Sequence, residues 1–197
     1  MLELDHVLCM VGPEDTWAPR LTAAGWELDP GTAHPGQGTR NRRLLLAGHY
    51  LELAWVEDRA EARDNPLRLD RRADWATTGA SPFGIGLRGR LPPEQEPAFR
   101  PYADLGFPIW VHRDDERHPA RPLVFVLDLP PRRPTGSASP AGALQCVHHA
   151  GPAAADVPCY AGPRLVHRPG RHRLELVVDA GRPVEVSDLL AIRVTDV

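Results

Sequence analysis

The segment "HYLEL" at residues 49–53 returns as "HRLEL" at 172–176, near the far end of a chain of 197 residues. Alternate side chains of a strand point to opposite faces. In each copy the leucines, Leu51 and Leu53 or Leu174 and Leu176, therefore share one face, and the acid between them, Glu52 or Glu175, takes the other. Such a strand packs its leucines under a neighbouring layer and aims its carboxylate elsewhere. Two copies predict two related units whose acids converge on one cavity.

Upstream of the first copy, "RRLLLAG" (42–48) and "HYLELAWV" (49–56) read as a tight strand pair. "LELDHVLCMV" (2–11) alternates as a strand with Leu4, His6, Leu8 and Met10 on one face and Asp5, Val7, Cys9 and Val11 on the other. A short helix capped by Thr16 and stopped by Gly25 follows, then a strand "WELD" (26–29) and a long turn "PGTAHPGQGTRN" (30–41). Residues 1–57 thus form a β-α-β-β-β module. Residues 58–142 are rich in Asp, Arg and Pro, with strands at 83–89, 107–113 and 123–129, little helix, and a linker at 130–142. From residue 143 the strand pattern restarts, which predicts a second, degenerate module at 143–197 with its helix shortened or lost. The modules together make one domain.

The 42% hydrophobic content suffices for a buried core, whereas no apolar run approaches the ~20 residues of a membrane span. All 23 basic residues are arginine. Without lysine, a pyridoxal Schiff base, a phosphate-loop lysine and a Ser-Lys nucleophile are excluded. A net charge of −3 argues against nucleic acid as partner. Three cysteines without CxxC spacing indicate neither a disulfide framework nor a zinc ribbon, and the expected setting is a reducing cytoplasm.

Three ordered motifs carry a resemblance: Leu4-Asp5-His6-Val7, His34-Pro35-Gly36-Gln37-Gly38-Thr39-Arg40-Asn41, and Tyr50-Leu51-Glu52-Leu53. The chain resembles the vicinal oxygen chelate superfamily of glyoxalase I, extradiol dioxygenases and bleomycin-resistance proteins, and within it bacterial glyoxalase-like proteins. The resemblance implies an α+β fold in which paired βαβββ modules form a curved mixed sheet around a central cup, often as a homodimer. In metal-dependent members the positions matching His6 and Glu52 or Glu175 hold a divalent ion. Aligning the modules places Cys146 where a second His or Glu is usual, with His148 two residues on as a substitute.

The expected metal set is accordingly His6, Glu52, Cys146, His148 and Glu175, for Zn, Ni, Mn or Fe; the alternative is a vacant site. Glu52, Glu175 and His6 are the catalytic candidates, because carboxylates and an imidazole can move protons with or without a metal. His34, Thr39, Arg40, Asn41 and Trp55 are the ligand-binding candidates. The expected partner is a small oxygen-bearing metabolite, handled by isomerase or lyase chemistry. Sequestration of a drug or metabolite without chemistry, and metal-dependent dioxygenation, are the alternatives.

Overall fold

The computed structural model describes residues 1–102, 107–130 and 142–195. Its first unit comprises β1 (Leu2–Met10), α1 (Ala18–Ala23), β2 (Thr32–His34), β3 (Thr39–Leu45) and β4 (Tyr50–Val56). The three short helices α2 (Arg59–Asp64), α3 (Leu69–Ala73) and α4 (Trp75–Thr78) follow. A second unit runs through β5 (Phe83–Arg88), a three-residue 3-10 turn, β6 (Phe99–Tyr102), β7 (Ile109–His112), α5 (Asp114–Arg117) and β8 (Leu123–Leu127). The last part holds β9 (Leu144–Gly151), β10 (Tyr160–Ala161), β11 (Arg164–Pro169), β12 (Arg173–Val178), β13 (Val184–Glu185) and β14 (Leu190–Val194).

The first sheet has the order β2-β3-β4-β1-β5-β8-β7-β6, with β10 added beside the start of β1. In each unit the first strand pairs parallel with the fourth, and β1 and β5 meet antiparallel at the centre. The order is therefore the same read outward from either side of the β1/β5 seam, as a pseudo-twofold requires. The expected paired units and curved mixed sheet are present, and the second unit has its helix reduced to the 3-10 turn Glu96–Ala98. Its residues differ from expectation: the second half of the cup comes from 83–127, and 144–194 build a separate sheet in the order β11-β9-β12-β14-β13.

That separate sheet covers the back of the first. Leu51, Leu53, Ile85 and Leu87 share one hydrophobic core with Leu144, Val147, Leu174, Leu176 and Ile192. The repeated Leu-Glu-Leu pattern is explained by this layer. Both leucine pairs are essentially fully buried in the shared core, and each fully buried leucine contributes about 1.5–3 kcal/mol. With both leucine faces turned toward one another, the acids between them point away on opposite sides of the molecule. Glu52 faces the cup, and Glu175 faces outward from the second sheet.

Four local readings are corrected. In β1 the register with β5 passes from Leu4↔Leu87 to His6↔Gly86, so Asp5 is an extra residue, a β-bulge. The bulge exchanges the faces: Leu4 joins Val7 and Cys9 in the core, while His6 and Leu8 line the cup. "WELD" makes only a bridge from Leu28 to Leu44, and the strand lies at Thr32–His34. Thr16 does not cap α1, since its hydroxyl donates to the Pro13 carbonyl. Residues 59–78 are largely helical, α2 starting where the Asp58 carboxylate accepts from the N–H groups of Ala60 and Glu61. The expected linker lies mostly outside the described residues.

Candidate functional site

The concave face of the first sheet encloses a cavity of about 450 Å³, within the size range of small-molecule sites. His6 reaches it from β1 and Glu52 from β4, with His6 Nε2 3.2 Å from a Glu52 carboxylate oxygen. The bulge turns Asp5 onto the side of its neighbour, and its carboxylate lies 2.8 Å from His6 Nδ1. The other Asp5 oxygen accepts from Arg88 Nε at 2.5 Å. The second Glu52 oxygen accepts from the Asn41 amide at 2.5 Å. Asn41 is itself oriented, because its carbonyl oxygen accepts the backbone N–H of Thr32.

The imidazole stacks on Tyr50 with ring centroids 4.3 Å apart and meets Phe125 at 5.2 Å. Burial works against a charge on His6 most strongly. Its hydrogen bonds to Asp5 and Glu52, together with their charges, outweigh that cost and raise its pKa above the ordinary histidine range. For Glu52 burial again opposes the charge most, and the hydrogen bond and charge of His6, followed by the Asn41 amide, hold its pKa below the ordinary carboxylate range. Both shifts favour one state: a Glu52 carboxylate on the cavity wall backed by a His6 imidazolium.

Of the expected ligand-binding residues, His34, Thr39 and Asn41 line the cavity. The turn carrying His34 is moored to α2: the Gly36 N–H donates to Glu61, and a Cβ on Gly38 would meet the Asp58 carbonyl oxygen at 2.2 Å. Arg40 and Trp55 lie on the opposite face, as strand parity dictates. Arg40 pairs with Glu57 near solvent, and Trp55 packs against Trp17. Cys146, His148 and Glu175 belong to the second sheet and do not reach the cup. Glu175 lies opposite His148 in the β12/β9 register and is held by Arg173 and Arg193.

Residues that sequence reasoning missed complete the site. Arg43 and Tyr50 line the cavity, and parity with Asn41 and Glu52 was the signal for both. Arg43 Nε binds Asp29 at 2.5 Å, and its guanidinium lies 5.6 Å from the Tyr50 ring centroid. Asp5 and Arg88 were hidden by the bulge. The second unit supplies an apolar wall from β7 and β8.

A divalent ion of the kind found in metal-dependent relatives needs about four donors. The inward positions of β5 are Gly84 and Gly86 beside His6 and Leu8, and those of β8 are Leu123, Phe125 and Leu127, so no second-unit ligand faces His6 and Glu52 among the described residues. Among those residues, no group of three or more His, Cys, Asp or Glu side chains is placed to hold a metal ion. Both ring nitrogens of His6 already face carboxylates. The donors present do not fit such an ion.

The glyoxalase-like domain family model matches residues 4–121, more than half of the chain and nearly the whole cup. The chain belongs to the glyoxalase-like domain family. It is thus a glyoxalase-like protein of the vicinal oxygen chelate superfamily, as its motifs imply. A search of curated proteins finds no match. Among solved structures, a hypothetical protein from Staphylococcus aureus aligns over 99% of this chain and 100% of its own, with a TM-score of 0.63 at 11% identity. The likeness is one of fold, and it includes the second sheet. Methylmalonyl-CoA epimerase from Mycobacterium tuberculosis aligns over 66% of this chain and 89% of its own, with a TM-score of 0.44 at 15% identity. Among the described residues, no helix of this glyoxalase-like protein is long and apolar enough to cross a membrane.

Proposed function

We propose that this glyoxalase-like protein is an enzyme that moves a proton on carbon beside a carbonyl group of a small metabolite, in an isomerase or lyase reaction, with Glu52 as the proton carrier. The observation that carries this reading is the placement of the Glu52 carboxylate on the cavity wall, fixed from one side by Asn41 and from the other by a His6 that Asp5 and Arg88 hold from behind. A carboxylate so positioned can take a proton from a substrate C–H bond while the electron pair moves to the carbonyl oxygen as an enolate. Where the deprotonated carbon also bears a hydroxyl, the enolate is an enediolate, and passing the hydroxyl proton to the first oxygen while Glu52 returns its own proton to the former carbonyl carbon completes an isomerisation. Expelling a group, with its bonding pair, from the carbon on the far side of the deprotonated one completes a lyase reaction. His6 is a positioning residue here, because its two nitrogens face Asp5 and Glu52. The three free thiols, Cys9, Cys146 and Cys159, suit a reducing cytoplasm, and a homodimer is the proposed assembly.

Hydrogen–deuterium exchange tests the chemistry whatever the product is. Carbonyl compounds incubated with the protein in D2O should exchange hydrogen beside the carbonyl faster than in buffer, and Glu52→Gln should abolish the acceleration. The largely apolar second-unit wall favours a second reading, capture of a ligand without chemistry. Stoichiometric binding with exchange no faster than in buffer would establish that reading and overturn the first.

A further inference from the structure

The cavity is divided between its two units. Side chains from β1 to β4 give it polar groups: His6, Thr39, Asn41, Arg43, Tyr50 and Glu52. The opposite wall, from the second unit and the segment after α2, carries Leu67, Leu69, Phe107, Phe125 and Leu127. A volume of about 450 Å³ holds a ligand well beyond the size of a three-carbon acid.

Among the described residues, Arg43 is the lone arginine of the lining, and it has a fixed relation to the proton carrier. It lies directly opposite Glu52 in the β3/β4 register, so the two side chains leave the same face of the sheet as nearest cross-strand neighbours. Asp29 anchors Arg43 twice, accepting its backbone N–H at 2.7 Å and its Nε at 2.5 Å. A guanidinium carries five N–H donors in a planar fork matched to a carboxylate, so binding Asp29 through Nε leaves the end of the fork for an anion.

We infer that the ligand is an amphiphilic monocarboxylate, a 2-oxo or 2-hydroxy acid with a bulky apolar side chain. Its carboxylate rests on Arg43, the carbon whose hydrogen is exchanged (C3 of an oxo acid, C2 of a hydroxy acid) lies beside Glu52, and its side chain lies against Phe125 and Leu127. This class rests on the proposed function for the role of Glu52, while the two-ended recognition is independent of any turnover. One arginine suits one anionic group and gives a diphosphate no second partner of the same kind. The apolar wall rewards each buried carbon, so affinity rises with side-chain size.

The test is direct binding, by calorimetry, of pyruvate, 2-oxooctanoate, phenylpyruvate and the uncharged ketone 2-octanone. The two larger acids are expected to bind at least tenfold more tightly than pyruvate and than 2-octanone. Arg43→Met keeps much of the side-chain length and removes the charge; it should weaken the larger acids at least tenfold and leave 2-octanone unchanged. Phe125→Ala should narrow the gap between phenylpyruvate and pyruvate. Equal binding of pyruvate and the larger acids, no binding of any acid, or unaltered acid binding by a folded Arg43→Met protein would overturn the inference. Tight, charge-dependent binding without accelerated deuterium exchange would overturn only the proposed chemistry. Accelerated exchange on acids that show no preference for size or charge would overturn only the ligand class.

Discussion

Gly86 lies directly across the β1/β5 seam from His6, and a Cβ placed on it would stand 2.5 Å from the imidazole Cε1. The ring occupies the space that a side chain on β5 would need. Tyr50 is stacked on the ring and Phe125 is tilted against it, so it has little room to yield. Gly86→Ala is therefore expected to push the imidazole away from Asp5 and Glu52, costing about 1–3 kcal/mol of stability by overpacking. Deuterium exchange should fall with it. Denaturant unfolding and exchange rates check the pair of effects, and an alanine variant as stable and active as the parent would show that the ring position is not constrained from β5.

The bulge at Asp5 makes a second prediction. Asp5 is buried and bridges Arg88 to His6, so Asp5→Asn leaves a buried cation facing a neutral amide. Removing one partner of a buried charge pair costs about 3–5 kcal/mol. The His6 pKa should also fall, since the Asp5 hydrogen bond is the first contribution that offsets burial. Imidazole titration by NMR reads that fall directly, which a loss of packing alone would not produce.

The coupling of His6 and Glu52 gives a pH signature. The raised His6 pKa means that its share of stability is complete below its ordinary value of about 6.5 and is lost as pH rises through its elevated folded-state value. The lowered Glu52 pKa means that its share is complete above about 4.3 and is lost as pH falls through its depressed folded-state value. The stability difference between the parent and Glu52→Gln should therefore be greatest and flat between these ordinary values and decline on both sides. Unfolding free energies across pH check this, and a difference that does not vary with pH would mean that the pair is not ionised in the folded protein.

The duplicated Leu-Glu-Leu strand separates its two acids functionally. Glu52→Gln is expected to lower the exchange rate about 10²–10⁴-fold, the usual contribution of a positioned proton carrier. Glu175 sits with Arg173 and Arg193 on the outer face of the second sheet, its side chain 30% exposed. Glu175→Gln should leave the exchange rate unchanged and alter stability by about 1 kcal/mol or less. A large loss of activity on changing Glu175 would place it in the machinery and contradict the geometry.

The same strand shows how far the sequence can be read. Parity correctly places both leucine pairs in a core and Glu52 on the opposite face, whereas Thr39 and Asn41 are found from the motif at 34–41 and His6 from the motif at 4–7. Parity is a rule about one strand, however, and cannot say which strands join one sheet. The similarity of 49–53 to 172–176 reflects a shared requirement, two leucines under a common layer, and not shared membership in a cup. The actual second unit, at 83–127, is obscure in the sequence because its inward positions are Gly84, Gly86, Leu123, Phe125 and Leu127, which carry no chemical signature. Asp5 and Arg88 are unreadable for another reason: a bulge breaks the period of two on which the reading depends. Arg43 is readable by parity alone, two residues past Asn41 on the same face, whereas its neighbour Arg40 faces away.

Behind the cup, His149 makes an independent prediction about acid stability. It projects from β9 into the space between the sheets, with its ring 4.9 Å from that of His167, and its Nδ1 has no hydrogen-bond partner among the described residues. Burial, with the charges of His167 and His172 adding to it, lowers its pKa to about 4. A histidine whose folded-state pKa is depressed binds its proton more readily once unfolded. Its effect is absent at neutral pH and destabilises the fold progressively as pH drops below about 6.5, on the order of 3 kcal/mol once pH reaches the folded value. His149→Leu removes that proton uptake and supplies apolar bulk to a core position. The variant should match the parent within about 1 kcal/mol near pH 8 and exceed it increasingly toward pH 4. Parallel stability curves for the two proteins would show that His149 does not titrate on unfolding, and that the acid limb belongs to other groups.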